Sequence, residues 1–273
     1  HPVTEMITGL DLVEWQLRVA FGEALPLTQS EISCTGHAIE IRLYAEDPSS
    51  NFLPAAGKIH QIFWPSSNSE NIRVDSGIQT HDHISIYYDP LLAKLICFGN
   101  TRSQAISYAQ KMLAETFIAG IKTNLSFINN IFHHPEFTVG NTNTHFIENN
   151  ETNLIVKTSK PSDLVLAAAT SAILLKRYQD FFHSDTNSPW AVPNQFRVNS
   201  KPSEKITLYS EQKPIELTVL LLTPPKDSAD FLQFDCLANS TTLSSKAKLV
   251  SNNTIEMYLN QEHITLYYVI QDA

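Results

Sequence analysis

Gly36-His37-Ala38-Ile39-Glu40-Ile41-Arg42-Leu43-Tyr44-Ala45-Glu46-Asp47-Pro48 is the stretch that sets the architecture of the first half of this chain. Apolar and polar residues alternate from 39 to 44, the period of a strand with one face against a core. Ile39, Ile41 and Leu43 fall on one face, and Glu40, Arg42 and Tyr44 share the other. Arg42 is therefore expected to be aimed from a rigid element between two polar neighbours. Taken alone, this pattern also describes a surface strand with an ordinary Glu/Arg pair.

Outward from that strand, residues 57–63, 72–75 and 93–98 read as three more strands separated by turn residues, so an antiparallel sheet is expected. Before it, Leu10, Val13, Leu17 and Phe21 recur at helical spacing up to Gly22, which predicts an amphipathic helix with Arg18 on its solvent side. After it, residues 103–117 read as a helix with Ile106, Ala109, Met112 or Leu113, and Phe117 as its buried stripe, and Gly120 just past its end. Another helix is expected from 125 to about 132. The order of helix, strands and helices describes an α+β domain.

The chain has 273 residues, enough for two domains with separate cores. All eight glycines lie between Gly9 and Gly140, and the rest of the chain makes its turns with Asn, Asp, Ser and Pro. That shift places the boundary in the polar stretch 149–161, giving domains at 1–150 and 151–273. Residues 1–150 carry 8 Lys+Arg against 15 Asp+Glu, and the remainder 11 against 13, a balance that disfavours nucleic acid as a partner. Cys34, Cys97 and Cys236 are odd in number, far apart and each beside apolar or β-forming residues, which suits reduced core thiols of a cytosolic protein. The opening on His1-Pro2-Val3 has no basic-then-apolar leader and reads as a fragment boundary. Asn124-Leu125-Ser126 and Asn239-Ser240-Thr241 have the form of glycosylation acceptors, and without a signal peptide they read as chance matches.

In the second domain, residues 163–182 (DLVLAAATSAILLKRYQDFF) predict a helix with Ser162 as its N-cap. It is apolar nearly all round from 164 to 175, too short and too interrupted to span a membrane, so protein must surround it. Short β-rich runs follow at 195–199, 206–210, 215–222, 231–236, 246–251, 255–259 and 263–270, with turn signals between them, which suggests a barrel or sandwich. An antiparallel barrel wrapped around the long helix satisfies both expectations. Two histidine pairs, His81 with His83 and His133 with His134, lack a third ligand at fitting spacing, and no metal site is expected.

The phrase at 36–48, with Asn51-Phe52-Leu53-Pro54-Ala55, Tyr87-Tyr88-Asp89-Pro90 and the opening His1-Pro2-Val3-Thr4-Glu5-Met6-Ile7-Thr8-Gly9, resembles the C-terminal part of the biotin carboxylase domain of biotin-dependent carboxylases. The resemblance implies a parent enzyme that uses ATP, Mg2+ and bicarbonate to carboxylate biotin. The family's metal ligands, its base and its ATP-grasp lid precede the matched segment, so the chain is not expected to turn over alone. Arg42 matches the family residue that holds the ureido oxygen of biotin, where a fixed guanidinium stabilises the charge left when the N1 proton is removed. The resemblance also implies a position for Thr144 beside the adenine of ATP and for Arg73 at a dimer contact. Asp89 is expected either to orient Arg42 or to form the turn before Pro90.

The barrel around a helix is also the architecture of the BT domain that joins such subunits to a carboxyltransferase β subunit. Ser188-Pro189-Trp190-Ala191 followed by Phe196-Arg197-Val198-Asn199 is similar to the start of that domain in 3-methylcrotonyl-CoA carboxylase α subunits, which implies an anchoring or interface role for Trp190. Met257 is followed by Tyr258, so no Met-Lys-Met biotinylation motif occurs, and the biotin carboxyl carrier domain is expected beyond Ala273. The resemblance thus implies a piece of the α subunit of a methylcrotonyl-CoA type carboxylase, cytoplasmic or in the mitochondrial matrix of a eukaryote. A propionyl-CoA or other acyl-CoA carboxylase is the alternative within that class. A non-catalytic interaction module is the alternative for this piece alone.

Overall fold

The computed structural model describes residues 1–65, 71–155, 160–184, 188, 191–193, 198–199, 202–210, 213–227, 229–238, 241–251 and 253–270. The residues gather into two compact units, His1–Thr158 and Ser159–Ala273.

The first unit is built on a three-stranded antiparallel sheet of β1 (His37–Tyr44), β2 (Ile72–Ser76) and β3 (Leu91–Gly99), in the order β1-β3-β2. Gly36 leads into β1 with φ +70°, and a Cβ there would lie 2.5 Å from the Phe98 ring, so both conformation and space require glycine. The alternation holds: Ile41 and Leu43 are buried and Arg42 is exposed. The expected strand at 57–63 is broken instead into two short pieces, Gly57–Lys58 paired with His83–Ile84, and Gln61–Phe63 paired with Phe117–Ala119. Phe117 is thereby taken out of the helical stripe assigned to it from its spacing.

Two helices, α1 (Pro2–Thr8) and α2 (Leu12–Ala20), precede the sheet, and α3 (Arg102–Glu115) and α4 (Leu125–His133) follow it. Helix α3 starts at Thr101, whose Oγ1 accepts from the Gln104 N–H. It buries Ala105, Ile106, Ala109, Met112 and Leu113, a face at helical spacing that packs with Ile41, Leu95 and Cys97. Burial pushes the Cys97 thiol up to about 12, which makes it an inert core group. Helices α5 (Pro135–Val139) and α6 (Phe146–Leu154) complete the unit. Residue 150 lies inside α6 and Leu154 is buried in the same core, so helix occupies the start of the polar stretch in which the boundary was expected.

The stripe expected on the helix before the sheet is not covered. Val13, Leu17, Val19 and Phe21 are all exposed, and α2 buries no residue. Its period is that of an amphipathic helix, but no described side chain closes over it.

Among the described residues the second unit is one helix, α7 (Asp163–Phe182), on a sheet of six strands that pair in sequence order: β4 (Ser203–Ser210), β5 (Lys213–Thr223), β6 (Leu232–Ala238), β7 (Thr241–Ser251), β8 (Thr254–Leu259) and β9 (Glu262–Tyr267). Leu259 and Glu262 face each other across Asn260-Gln261, whose φ values of +49° and +75° are those of a tight hairpin turn. All six strands feed one core: Ile206, Leu217, Phe234, Leu243 and Met257 are buried in it and Leu266 packs against it. Every residue of α7 from 166 to 175 is buried or half-buried. Its two polar members are satisfied by the helix itself, Thr170 donating to the Leu166 carbonyl at 2.8 Å and Ser171 to the Ala167 carbonyl at 2.9 Å. Among the described residues β4 and β9 are the two edges of an open sheet, where a closed barrel was expected. The strand expected at 195–199 lies mostly outside the described residues, and Val198 and Asn199 form a turn.

Candidate functional site

Period-two geometry puts Glu40, Arg42 and Tyr44 of β1, Lys94 and Ile96 of β3, and Arg73 and Asp75 of β2 on the face of the sheet opposite the core. The register completes the set, since Arg42 is opposite Lys94 and Lys94 is opposite Asp75. Arg42 Nε donates to Glu40 Oε1 at 3.2 Å, and Lys94 Nζ lies 3.7 Å from the same oxygen. One carboxylate thus serves two cations from adjacent strands. Glu40, with Tyr44 behind it, pushes the Arg42 guanidinium up, so the group is a permanent cation.

Arg73 lies at the other end of the face. It donates from Nη1 to Glu5 Oε2 at 2.8 Å and from Nη2 to Asp75 Oδ2 at 2.6 Å, and these two carboxylates hold its guanidinium above its ordinary range. Glu5 is 8% exposed, and its other oxygen accepts from the Leu12 N–H at 3.0 Å, so Arg73 joins α1, the start of α2 and the sheet. Arg73, expected at an interface between subunits, is engaged within its own chain. A cleft of about 400 Å³ lies along this face and includes Asp75, Ser76 and Lys94. A larger groove of about 760 Å³ follows the bare face of α2 at Val13, Val19 and Leu25, and its lining is too apolar for acid–base work.

Asp89 is exposed, its Oδ1 accepts from the Leu91 N–H at 2.8 Å, and its charge adds to burial in raising the Glu46 carboxyl. It makes the turn around Pro90, and the carboxylate that meets Arg42 is Glu40. Thr144 is exposed in the turn before α6, where the next residue, His145, faces Glu148 at 3.1 Å. Trp190 lies outside the described residues. His81 takes φ +79° in a turn while His83 starts a short strand, so the two do not share a strand face. His133 Nδ1 meets the Asn129 carbonyl at 2.8 Å, and the His134 ring packs on Phe146. Among the described residues no three His, Cys, Asp or Glu side chains gather as metal ligands.

Lys94 and Asn124 were not recognisable as members of this site from the sequence. Lys94 joins through strand register, and Asn124 reaches the backbone of Arg42 and Tyr44 from 82 and 80 residues away. Neither has a local signal.

The face offers one exposed, oriented guanidinium on a rigid strand. It suits a planar oxygen that gains negative charge during reaction. The residues of this face supply one fixed cation for such an oxygen. They do not include a carboxylate cluster for Mg2+ among those described.

Residues 40–149 match the family described as "Biotin carboxylase C-terminal domain", and residues 1–28 match "Carbamoyl-phosphate synthase L chain, ATP binding domain". The chain is 35% identical over 270 residues to the mitochondrial methylcrotonoyl-CoA carboxylase subunit alpha of Dictyostelium discoideum, an alignment covering 97% of this chain and 37% of that protein. It is 31% identical over 281 residues to the mitochondrial propionyl-CoA carboxylase alpha chain of Caenorhabditis briggsae, covering 98% of this chain and 37% of that protein. Among solved structures, the biotin carboxylase domain of the 2-oxoglutarate carboxylase of Hydrogenobacter thermophilus, in complex with MgADP, ADP and bicarbonate, superposes with a TM-score of 0.55 at 36% identity, covering 58% of this chain and 34% of that one. The chain spans little more than a third of the length of these relatives.

Proposed function

We propose, from the premise that the chain is part of a biotin carboxylase, that it serves the biotin-bearing α subunit of an acyl-CoA carboxylase and supplies the biotin-side arginine of the carboxylation step. The observation that carries this reading is Arg42, exposed on a sheet face and set by Glu40 within a segment that matches the biotin carboxylase C-terminal domain. Bound biotin supplies the nucleophilic ureido nitrogen. Arg42 offers its guanidinium to the ureido oxygen, and Glu40 fixes the guanidinium plane through Nε. Lys94 shares Glu40 and keeps the local charge balanced.

ATP, Mg2+ and bicarbonate would be held chiefly by parts of the longer protein that precede the matched segment, with Thr144 at the adenine side. The bare apolar face of α2, in the segment that matches an ATP-binding domain, agrees with such a neighbour. The methylcrotonyl-CoA type is favoured over the propionyl-CoA type by 35% against 31% identity over nearly the whole chain. A mitochondrial location follows the names of those relatives.

For the second unit we propose a BT-type domain, built on α7 and its six-stranded sheet, that docks a carboxyltransferase β subunit, with Trp190 at that interface and the biotin carboxyl carrier domain further along the protein. The burial of α7 from 166 to 175 supports it, as does a stretch of similarity to α subunits that runs through the unit. The division proposed is His1–Thr158 for the carboxylase part and Ser159–Ala273 for docking.

The test is Arg42→Ala in the full-length protein, assayed for biotin carboxylation at saturating ATP. Removing one oxyanion donor typically lowers the rate by about 10²–10³. A variant that carboxylates biotin at the parent's rate removes Arg42 from the site.

A further inference from the structure

Arg42 sits where its strand is least regular. β1 is an edge of the three-stranded sheet, with β3 on one side. The register passes from Leu43 opposite Ala93 to Tyr44 opposite Leu91, so β3 carries one extra residue immediately beyond Arg42. A bulge of this kind bends and twists the strand and re-aims the side chains beside it. An arginine next to such a break has a fixed direction only if something else holds the backbone.

Asn124 holds it. From the open edge of β1, the Tyr44 N–H donates to Asn124 Oδ1 at 2.9 Å, Asn124 Nδ2 donates to the Arg42 carbonyl at 3.2 Å, and the Asn124 N–H donates to the Tyr44 carbonyl at 3.2 Å. The side chain and backbone of one residue thus take the place of a neighbouring strand. The carboxamide fits in one orientation only, since the flipped amide would set two donors and two acceptors against each other. Asn124 is 6% exposed and is the N-cap of α4, yet its side chain makes no cap bond. An asparagine at an N-cap ordinarily serves its own helix, and here the amide is given to β1. Helix α4 is anchored by Phe127, Ile128 and Phe132 in the core, so the bridge is rooted in buried structure.

We propose that Asn124 is the positioning residue for Arg42: it clamps the backbone at 42 and 44 across the bulge and so sets the direction in which the guanidinium leaves the sheet. The proposal rests on the reading of Arg42 given above. It also assigns Asn124 a role incompatible with glycosylation, because its amide nitrogen is buried and bonded.

Asn124→Asp keeps the acceptor for the Tyr44 N–H and replaces the donor to the Arg42 carbonyl with a carboxylate oxygen. In the full-length protein it is expected to lower kcat for biotin carboxylation about tenfold to a hundredfold, the scale of a misplacement near one ångström. Bicarbonate-dependent ATP cleavage without biotin should stay within about twofold, and Asn124→Asp added to Arg42→Ala should cost no more than about twofold further. An unchanged carboxylation rate, an equal loss of both reactions, or full additivity with Arg42→Ala would each overturn the proposal. If Arg42→Ala alone carboxylates biotin normally, the reading of Arg42 fails first. The clamp itself is tested apart from activity: hydrogen exchange on the wild-type chain should show the Tyr44 amide protected, and in Asn124→Ala that amide should exchange at least about tenfold faster. A freely exchanging wild-type Tyr44 amide rules out the clamp, even where Asn124→Asp does not fold.

Discussion

The outward faces of the two sheets use the same alternation differently. In the first unit the face opposite the core carries Arg73, Asp75, Lys94, Glu40 and Arg42, and Glu5 reaches down onto it from α1. In the second unit the equivalent face of β6 to β8 carries Lys246 and Lys248 over the Phe231 ring at 4.3 and 4.7 Å, with Glu256 receiving Lys248, His263 and the Tyr258 hydroxyl. The first set includes a carboxylate sealed under a helix and a cation left exposed beside a bulge. The second is a solvated mesh of partners from neighbouring strands. A polar outward face becomes a site when part of it is buried and its backbone is fixed, and the charges alone do not achieve that.

The largest effect expected from this contrast lies beneath the second sheet. Ala167→Arg would force a charge into a position with no exposure in the α7 core, at a cost of about 3 kcal/mol or more. Hydrogen exchange should show β4 to β9 opening while β1 and β3 keep their protection. Loss of protection in both units together would show that they share one core.

Next in size is Arg73→Ala, which leaves the buried Glu5 carboxylate without its guanidinium. A loss of about 1–3 kcal/mol is expected in urea unfolding of the first unit. The matching change on the other sheet, Lys248→Ala, removes a half-buried pair and one cation–ring contact and leaves Glu256 with His263 and Tyr258, so about 1 kcal/mol or less is expected. Equal costs for these two variants would cancel the distinction drawn between the faces.

The smallest effect is a pH dependence at Asp47, whose carboxylate accepts from Lys122, Ser49 and Ser50. Lys122 first, then Ser49, hold it far below the usual carboxylate range. Its stabilisation is complete above the unfolded value near 4 and is lost as the pH falls below that. Asp47→Asn should therefore flatten the acid side of the unfolding midpoint between pH 5 and pH 2, by up to about 1 kcal/mol. An identical acid limb in variant and wild type would remove Asp47 from that balance.

Periodicity in the sequence was enough for β1, α3, α4 and α7, whose buried residues recur at two or 3.6, and for most strands of the second sheet. It failed at 57–63 and Phe117, where turns and a distant pairing outweighed the local pattern, and at α6, where a polar run folded as helix because Phe146 and Leu154 reach the core. For α2 the period was right and the burial was not, since a pattern reports an apolar face and not what covers it.

Within the candidate site, the sequence by itself determined that Glu40, Arg42 and Tyr44 share a face, because strand geometry leaves alternate residues no other choice. It also carried the family resemblance that points to Arg42. Only the tertiary structure decided that Glu40, and not Asp89, meets Arg42, that Lys94 shares that carboxylate, and that Asn124 holds the backbone. Glu40 meets Arg42 from two residues along the same strand, but the other two contacts depend on strand register and a helix start about 50 to 80 residues away. Local propensity has no reach over such distances, and the pairing is fixed only when both partners are anchored to the same core.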